Sequence, residues 1–289
     1  MFYIGQDNKA QKASTVYVGV GNKARKVIKA YVGVNDVARL CWSDYVKPAL
    51  LRSGWRNGTN HKTITKITFM RSYTPTGNED SSWQAAEGRD GSIMCYRTGN
   101  EVIIAGDDAG NITLGSGYAL FQQCQALKSI EGLELLDTSL TSSMSNMFSS
   151  CDNLTSLDLS SFNTSNVVET TDMFAFCYKL ASVNLSSFNT TQITRMDGMF
   201  SMCKSLTSLD LSSFNTQNVR YMYNMFYGCS GLTSLDLTNF DTFKVTDMES
   251  MFESCSNLTE VLVSLNTWNT PRTSADMFKN CGCNAVTYI

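Results

Sequence analysis

The sequence predicts an α/β repeat protein, a solenoid of about six to seven stacked 26-residue turns, and three observations predict it. The pair Met-Phe recurs at Met147-Phe148, Met173-Phe174, Met199-Phe200, Met225-Phe226, Met251-Phe252 and Met277-Phe278, a strict 26-residue period, with Leu120-Phe121 standing 27 residues before the first. A Cys follows each of these Phe by three residues, at Cys124, Cys151, Cys177, Cys203, Cys229, Cys255 and Cys281. A Leu follows the Cys by three more, at Leu127, Leu154, Leu180, Leu206, Leu232 and Leu258.

The elements of one turn follow in order. After each Leu comes an alternating segment, Thr155-Ser156-Leu157-Asp158-Leu159 and its equivalents at Val183-Asn184-Leu185, Leu209-Asp210-Leu211 and Leu235-Asp236-Leu237, which reads as a short half-buried strand. A Phe (Phe162, Phe188, Phe214, Phe240), an Asn/Asp-Thr turn and a β-branched residue (Val167, Ile193, Val219, Val245) come next. Met196, Met222 and Met248 then stand three before the next Met, the i, i+3, i+4 spacing of a short helix or helical turn. One strand and one helical turn per period make a leucine-rich repeat, in which no turn can bury its own Leu/Phe/Met face and neighbours share one core. Eleven of the fourteen Met fall in this region, as flexible filler between Phe rings.

Four segments are expected: a docking or assembly element at 1–44, a linker at 45–61, a β-rich cap at 62–117 and the repeat domain at 118–289. At the front, Tyr17-Val18-Gly19-Val20-Gly21-Asn22-Lys23-Ala24-Arg25 is matched fourteen residues on by Tyr31-Val32-Gly33-Val34-Asn35-Asp36-Val37-Ala38-Arg39, and each copy reads as a β-hairpin. So small an element builds little core alone and is expected to pack on a partner or on copies of itself. The cap shows strand-like runs at 64–70, 92–97, 101–105 and 112–114. It would cover a solenoid end that otherwise exposes its core.

Charge is polarised. Residues 1–47 carry eight Lys/Arg against three Asp/Glu, whereas 118–289 carry eight against sixteen. An acidic repeat domain repels phosphate backbones, so nucleic acid is not an expected partner. The start, Met1-Phe2-Tyr3-Ile4-Gly5-Gln6-Asp7, lacks the pattern of a Sec signal, and no run of 18 apolar residues occurs, so neither export by that route nor membrane insertion is expected. The ten Cys are then expected to be reduced thiols that pack as small apolar residues.

Catalytic chemistry finds no residues to carry it. The single histidine, His61, lies in a Gly/Asn/Thr-rich stretch without a nucleophile elbow, and no phosphate loop, dinucleotide fingerprint or His-Glu-x-x-His occurs. No cofactor and no metal are expected. Cys281-Gly282-Cys283 is weak evidence for zinc, and a row of Asp158, Asn184, Asp210 and Asp236 lacks the carboxylate density of a calcium loop and reads as a solvated acidic face. Binding is expected at outward positions that vary between turns: Glu169, Arg195, Tyr221 and Asp247, then Thr171, Asp197, Tyr223 and Glu249. Arg195, Arg220, Tyr221, Tyr223 and Tyr227 are the candidate binding residues, since exposed Tyr and Arg are enriched at recognition hot spots.

The consensus Leu-Thr-Ser-Leu-Asp-Leu-Ser-Ser-Phe-Asn-Thr, then Asn-Val, then Met-Phe-x-x-Cys, resembles the BspA-like leucine-rich repeats of bacterial surface proteins, of Mycoplasma lipoprotein-type proteins and of some phage proteins of gut Firmicutes. With Gly91-Ser92-Ile93-Met94 and Ile103-Ile104-Ala105-Gly106, similar to the segment preceding such repeats, the resemblance covers residues 90–289. It implies an adhesive or recognition module without catalytic residues. The head, through Ala30-Tyr31-Val32-Gly33-Val34-Asn35-Asp36-Val37-Ala38-Arg39-Leu40, resembles the N-terminal motif of tail or other virion structural proteins of Firmicute phages. The expectation is a non-enzymatic virion protein of tail-fibre, receptor-binding or decoration type. Residues 1–44 would dock on other virion proteins, the repeats would meet a bacterial surface glycan or protein, and the chain would form a homo-oligomer, by analogy with fibres a trimer; the alternative is a cell-surface adhesin of the BspA-like class.

Overall fold

The computed structural model describes the backbone of four strands, Phe2–Gln6, Lys9–Ala13, Val16–Val20 and Lys23–Val27, together with residues 50–51, 60–86, 93–106, 112–271 and 273–289. The chain divides into two units, Met1–Pro48 and Ala49–Ile289. In the first, Phe2–Gln6 pairs antiparallel with Lys9–Ala13, and Val16–Val20 with Lys23–Val27. Gln6 faces Lys9 and Val20 faces Lys23, so two residues join each pair, the connection length that matches strand twist. The duplicate at 31–39 and most of the 45–61 segment lie outside the described residues.

The second unit begins with a mixed five-stranded sheet in the order Ser129–Glu131, Lys66–Met70, Glu101–Ala105, Met94–Thr98, Ser81–Gln84. The first three strands run parallel and the last three pair antiparallel. Ile67, Phe69, Cys95, Val102 and Ile104 are buried, the inward half of the alternation read in the sequence. Ser129–Glu131 follows Leu127 in the first repeat turn, so the repeats join this sheet by direct pairing. Phe69 meets Phe121 edge to face at 6.2 Å, which ties the sheet to the first ring of the repeat column.

From there the chain stacks on itself at the sequence period. Ser156–Asp158 pairs in parallel with Ser182–Asn184, and Ser234–Leu237 with Glu260–Val263, each residue opposite the one 26 further on. On another face single bridges join Ser143, Glu169, Arg195, Tyr221, Asp247 and Thr273 in turn. Between these faces Phe148, Phe174, Phe200, Phe226 and Phe252 lie fully buried with centroids 5.5–5.8 Å apart. Each buried ring is worth roughly 1.5–3 kcal/mol of transfer free energy, so this column is one large hydrophobic term of the stack beside the buried Leu and Met columns.

The α/β leucine-rich-repeat solenoid is corrected by this structure. Among the described residues there is no α-helix, only the 3-10 segments His61–Thr63 and Leu133–Leu135, and the strands form several small separate sheets. The reason lies in the backbone around Met-Phe. Two residues per turn, four apart, hold positive φ: Asn146 and Ser150, Asp172 and Phe176, Gly198 and Met202, Asn224 and Gly228, Ser250 and Ser254. A left-handed residue every fourth position interrupts a right-handed helix. The amides then alternate. Met147, Ser149 and Cys151 donate within the turn to Met144, Asn146 and Phe148, whereas Met144, Asn146, Phe148 and Ser150 donate to Glu169, Thr171, Met173 and Ala175 of the next turn at 2.8–3.0 Å. The protein is β-rich, and the segment expected to be helical is a rung of turns stitched to its neighbour.

Candidate recognition surface

The bridge ladder sets the site. Because Glu169, Arg195, Tyr221 and Asp247 occupy one column, their side chains rise from adjacent rungs about 4.8 Å apart. Arg195 and Tyr221 meet directly, the guanidinium carbon lying 4.5 Å from the ring centroid in a cation–π contact. Arg195 Nη2 also stands 2.8 Å from Asp197 Oδ2, with the arginine side chain 38% exposed and the aspartate 1% exposed. The contact is one of charge, since neither Asp197 oxygen accepts a well-directed hydrogen bond.

Burial pushes the Asp197 carboxyl up to about 6; Arg195 pulls it down, and Asp247 and Asp172 push it further up. Asp172 is raised by burial. Its position follows from a small residue on the next rung, because Gly198 leaves room that a β-carbon would take from Asp172 Oδ1. Tyr223 is 37% exposed, and its phenol is held above the usual range by burial and then by the carboxylates of Asp197 and Asp172. Asp172, Arg195, Asp197, Tyr223 and Asp247 therefore act on one another across four successive turns.

The structure thus brings Arg195, Tyr221 and Tyr223 together. Arg220 is exposed on the neighbouring column, where its amide donates to Thr194 and its carbonyl accepts from Thr246, both at 2.9 Å. Tyr227 is half-buried near the far end of the rung, its carbonyl accepting from Met202 at 2.6 Å. Asp197, expected to point outward with Thr171, Tyr223 and Glu249, is buried beneath Arg195, which is a correction. Asp172 was not among the expected binding positions; its signal was the column of Asn146, Asp172, Gly198 and Asn224, residue types that tolerate positive φ.

The other candidates resolve into structure. Asp158, Asn184, Asp210 and Asp236 each accept the backbone N–H two residues on at 2.9–3.1 Å; three of these turns end strands, whereas the strand expected at Leu209-Asp210-Leu211 does not form and Asp210 closes an extended segment. The Ser160 amide holds Asp158 below the usual carboxylate range, and Ser212 does the same for Asp210. Among the described residues no group of three His, Cys, Asp or Glu is arranged to hold a metal ion. Cys151, Cys177, Cys203, Cys229 and Cys255 are free and buried, and each thiol points to a Phe carbonyl of the preceding turn at 3.0–3.2 Å. Burial pushes Cys177 and Cys255 up to about 12 and the other three well above the ordinary thiol value, so all five are protonated and unreactive at neutral pH. His61 is half-buried in its 3-10 turn. No helix among the described residues is long and apolar enough to cross a membrane.

Fold and surface together define a repeat protein whose coils share one core and display a mixed aromatic and charged ladder. The chain belongs to the family described as Mycoplasma protein of unknown function, DUF285, whose model matches residues 116–210 and 178–286, more than half of the sequence. No curated protein and no solved structure matches the chain.

Proposed function

We propose that the chain is a non-enzymatic phage virion protein of the tail-fibre, receptor-binding or decoration type. It docks through residues 1–44 on other virion proteins and presents the repeat stack for recognition of a host surface glycan or protein. The observation that carries this reading is the division of labour in the chain: a small basic unit of paired strands, Met1–Pro48, and a separate acidic unit, Ala49–Ile289. The resemblance of 30–40 to virion proteins gives the first unit its role. Arg195, Arg220, Tyr221, Tyr223 and Tyr227 supply the second with anchors of the kind that dominate binding energy. The experiment is mass spectrometry of gradient-purified particles from an induced culture of the encoding strain. Recovery of the chain in stoichiometric amount supports the proposal. Absence from particles, with antibody labelling of intact unlysed cells, would replace it by a BspA-like cell-surface adhesin, a reading favoured by the bacterial source in the family's description.

A further inference from the structure

The rung 195–202 lies lower than the rung that follows it. In one column Asp197 is buried while Tyr223 and Glu249 are exposed and Thr171 is half-buried. In the next, Gly198 replaces the side chains of Asp172 and Asn224; further along, Ser201 is buried, as is Ala175 before it, where Tyr227 after it is only half-buried. On one side the larger Tyr223, Asn224 and Tyr227 flank Asp197, Gly198 and Ser201, a shallow step crossed at one end by the Arg195 guanidinium, while on the other side the Asp172 carboxylate reaches over Gly198.

That guanidinium is held from two directions. Asp197 fixes it from below at 2.8 Å and the Tyr221 ring fixes its plane from the side at 4.5 Å, so little rotamer entropy remains to be lost when its outer N–H groups meet a ligand. Its charge is compensated in place. Asp197 pairs with it, and Asp172 and Asp247 lie close enough to Asp197 to push its carboxyl further up. A phosphate or carboxylate ligand would meet this acidic surround, and a cationic one would meet Arg195 in the middle. What fits is an uncharged ligand that offers adjacent hydroxyls, accepting from the guanidinium and donating to carboxylates, with an apolar face to lie on the exposed Tyr223 ring.

We propose that the surface cluster of Arg195, Asp172, Tyr221 and Tyr223 binds a neutral glycan, through a vicinal diol on Arg195 and the C–H face of a hexose on Tyr223. Asp197 is a positioning residue that acts through Arg195. This inference rests on the reading that the repeats recognise an external ligand, and it holds for a virion or a cell-surface protein alike.

The test uses the full-length protein on immobilised gluco-, galacto-, manno- and rhamno-oligosaccharides, with a glycerol-phosphate polymer and an oligolysine peptide alongside. At least one neutral glycan is expected to be retained. Tyr223→Ala and Arg195→Met are expected to weaken that binding by about tenfold or more, the scale of a lost hot-spot contact. Phe243→Ala, at a residue 64% exposed on another part of the turn, is expected to leave it unchanged. Asp197→Asn should weaken binding at pH 7.5 and flatten its pH profile between pH 5 and 7, a readout a purely structural role would not move. Far-UV spectra and melting curves of each variant separate lost binding from lost fold. Capture of only the anionic polymer or the oligolysine overturns the proposal, as do neutral binding that survives both main variants and absence of any neutral binding. Particle mass spectrometry decides the virion reading separately, so the two can fail independently.

Discussion

Thr164 Oγ1 binds both backbone groups of a single residue one turn away, accepting from the Asn189 amide at 2.8 Å and donating to the Asn189 carbonyl at 3.0 Å. Thr190 repeats the arrangement on Asn215, and Thr216 repeats it on Asp241. Each of these threonines is 1% exposed, so its hydroxyl is closed off from water. Thr190→Val keeps the shape but orphans a buried donor and acceptor, and is expected to cost about 2–4 kcal/mol. Thr190→Ser should cost less than half as much. Chemical denaturation of the pair checks the ordering, and equal losses would assign the effect to packing.

The buried thiols give a second expectation. In a brief maleimide pulse at pH 8, Cys281, which is only partly buried, should be modified first among the described cysteines, while Cys151, Cys177, Cys203, Cys229 and Cys255 stay unmodified until the stack unfolds. Peptide mapping along a urea series would show the five appearing together at the unfolding midpoint. Labelling of any of them well below that midpoint would reveal local opening instead.

Asp197 makes stability depend on pH with a defined sign. Its carboxyl titrates near 6 when folded and near its ordinary value of about 3.9 when unfolded, so between these the native state holds the extra proton. Stability from this group therefore falls as pH rises from about 4 to about 6, and the deficit persists above that. Asp197→Asn is expected to match the wild type near pH 4 and to exceed it at pH 7.5 by about 1–2 kcal/mol after solvent screening. A less stable variant at pH 7.5 would show that the Arg195 pairing outweighs the burial of the charge.

Gly198 carries two demands at once, a positive φ and a missing β-carbon beside Asp172 Oδ1. Gly198→Ala should lose about 1–3 kcal/mol from backbone and steric terms together. Adding Asp172→Ala should recover the steric part alone, so a double-mutant cycle over the two positions is expected to show coupling of about 0.5 kcal/mol or more. Strict additivity would mean that the Asp172 side chain moves aside freely.

Much of this structure is legible in the chain. The period, the buried columns of Leu, Phe, Met and Cys, and the meeting of Arg195 with Tyr221 all follow from residues 26 apart facing one another. The error over the helix has a physical source. Met196, Met199 and Phe200 share a buried face at i, i+3, i+4 spacing, but successive three-residue turns place side chains on one side just as a helix does. The column Asn146, Asp172, Gly198, Asn224, rich in residues that accept left-handed backbone, carried the distinction. The burial of Asp197 was not legible, because it depends on how high Arg195 and Tyr223 stand over it rather than on its place in the repeat.

The near-identical ring spacing along the Phe column has a consequence for how such a chain can change length. Phe174 meets Phe200 as Phe200 meets Phe226, with planes within 11° of parallel, so excision of one whole period would bring equivalent surfaces into register without redesign. Gene-level gain or loss of a period would then lengthen or shorten the protein while its core went on solving the same packing problem. The 195–202 rung is an exception, because without Gly198 the Asp172 carboxylate would face Asn224, which carries a side chain, and the 221–228 rung is another, because Gly228 leaves room for the Met202 sulfur. In a protein whose other turns are nearly interchangeable, those two rungs are ones that copying cannot freely shuffle.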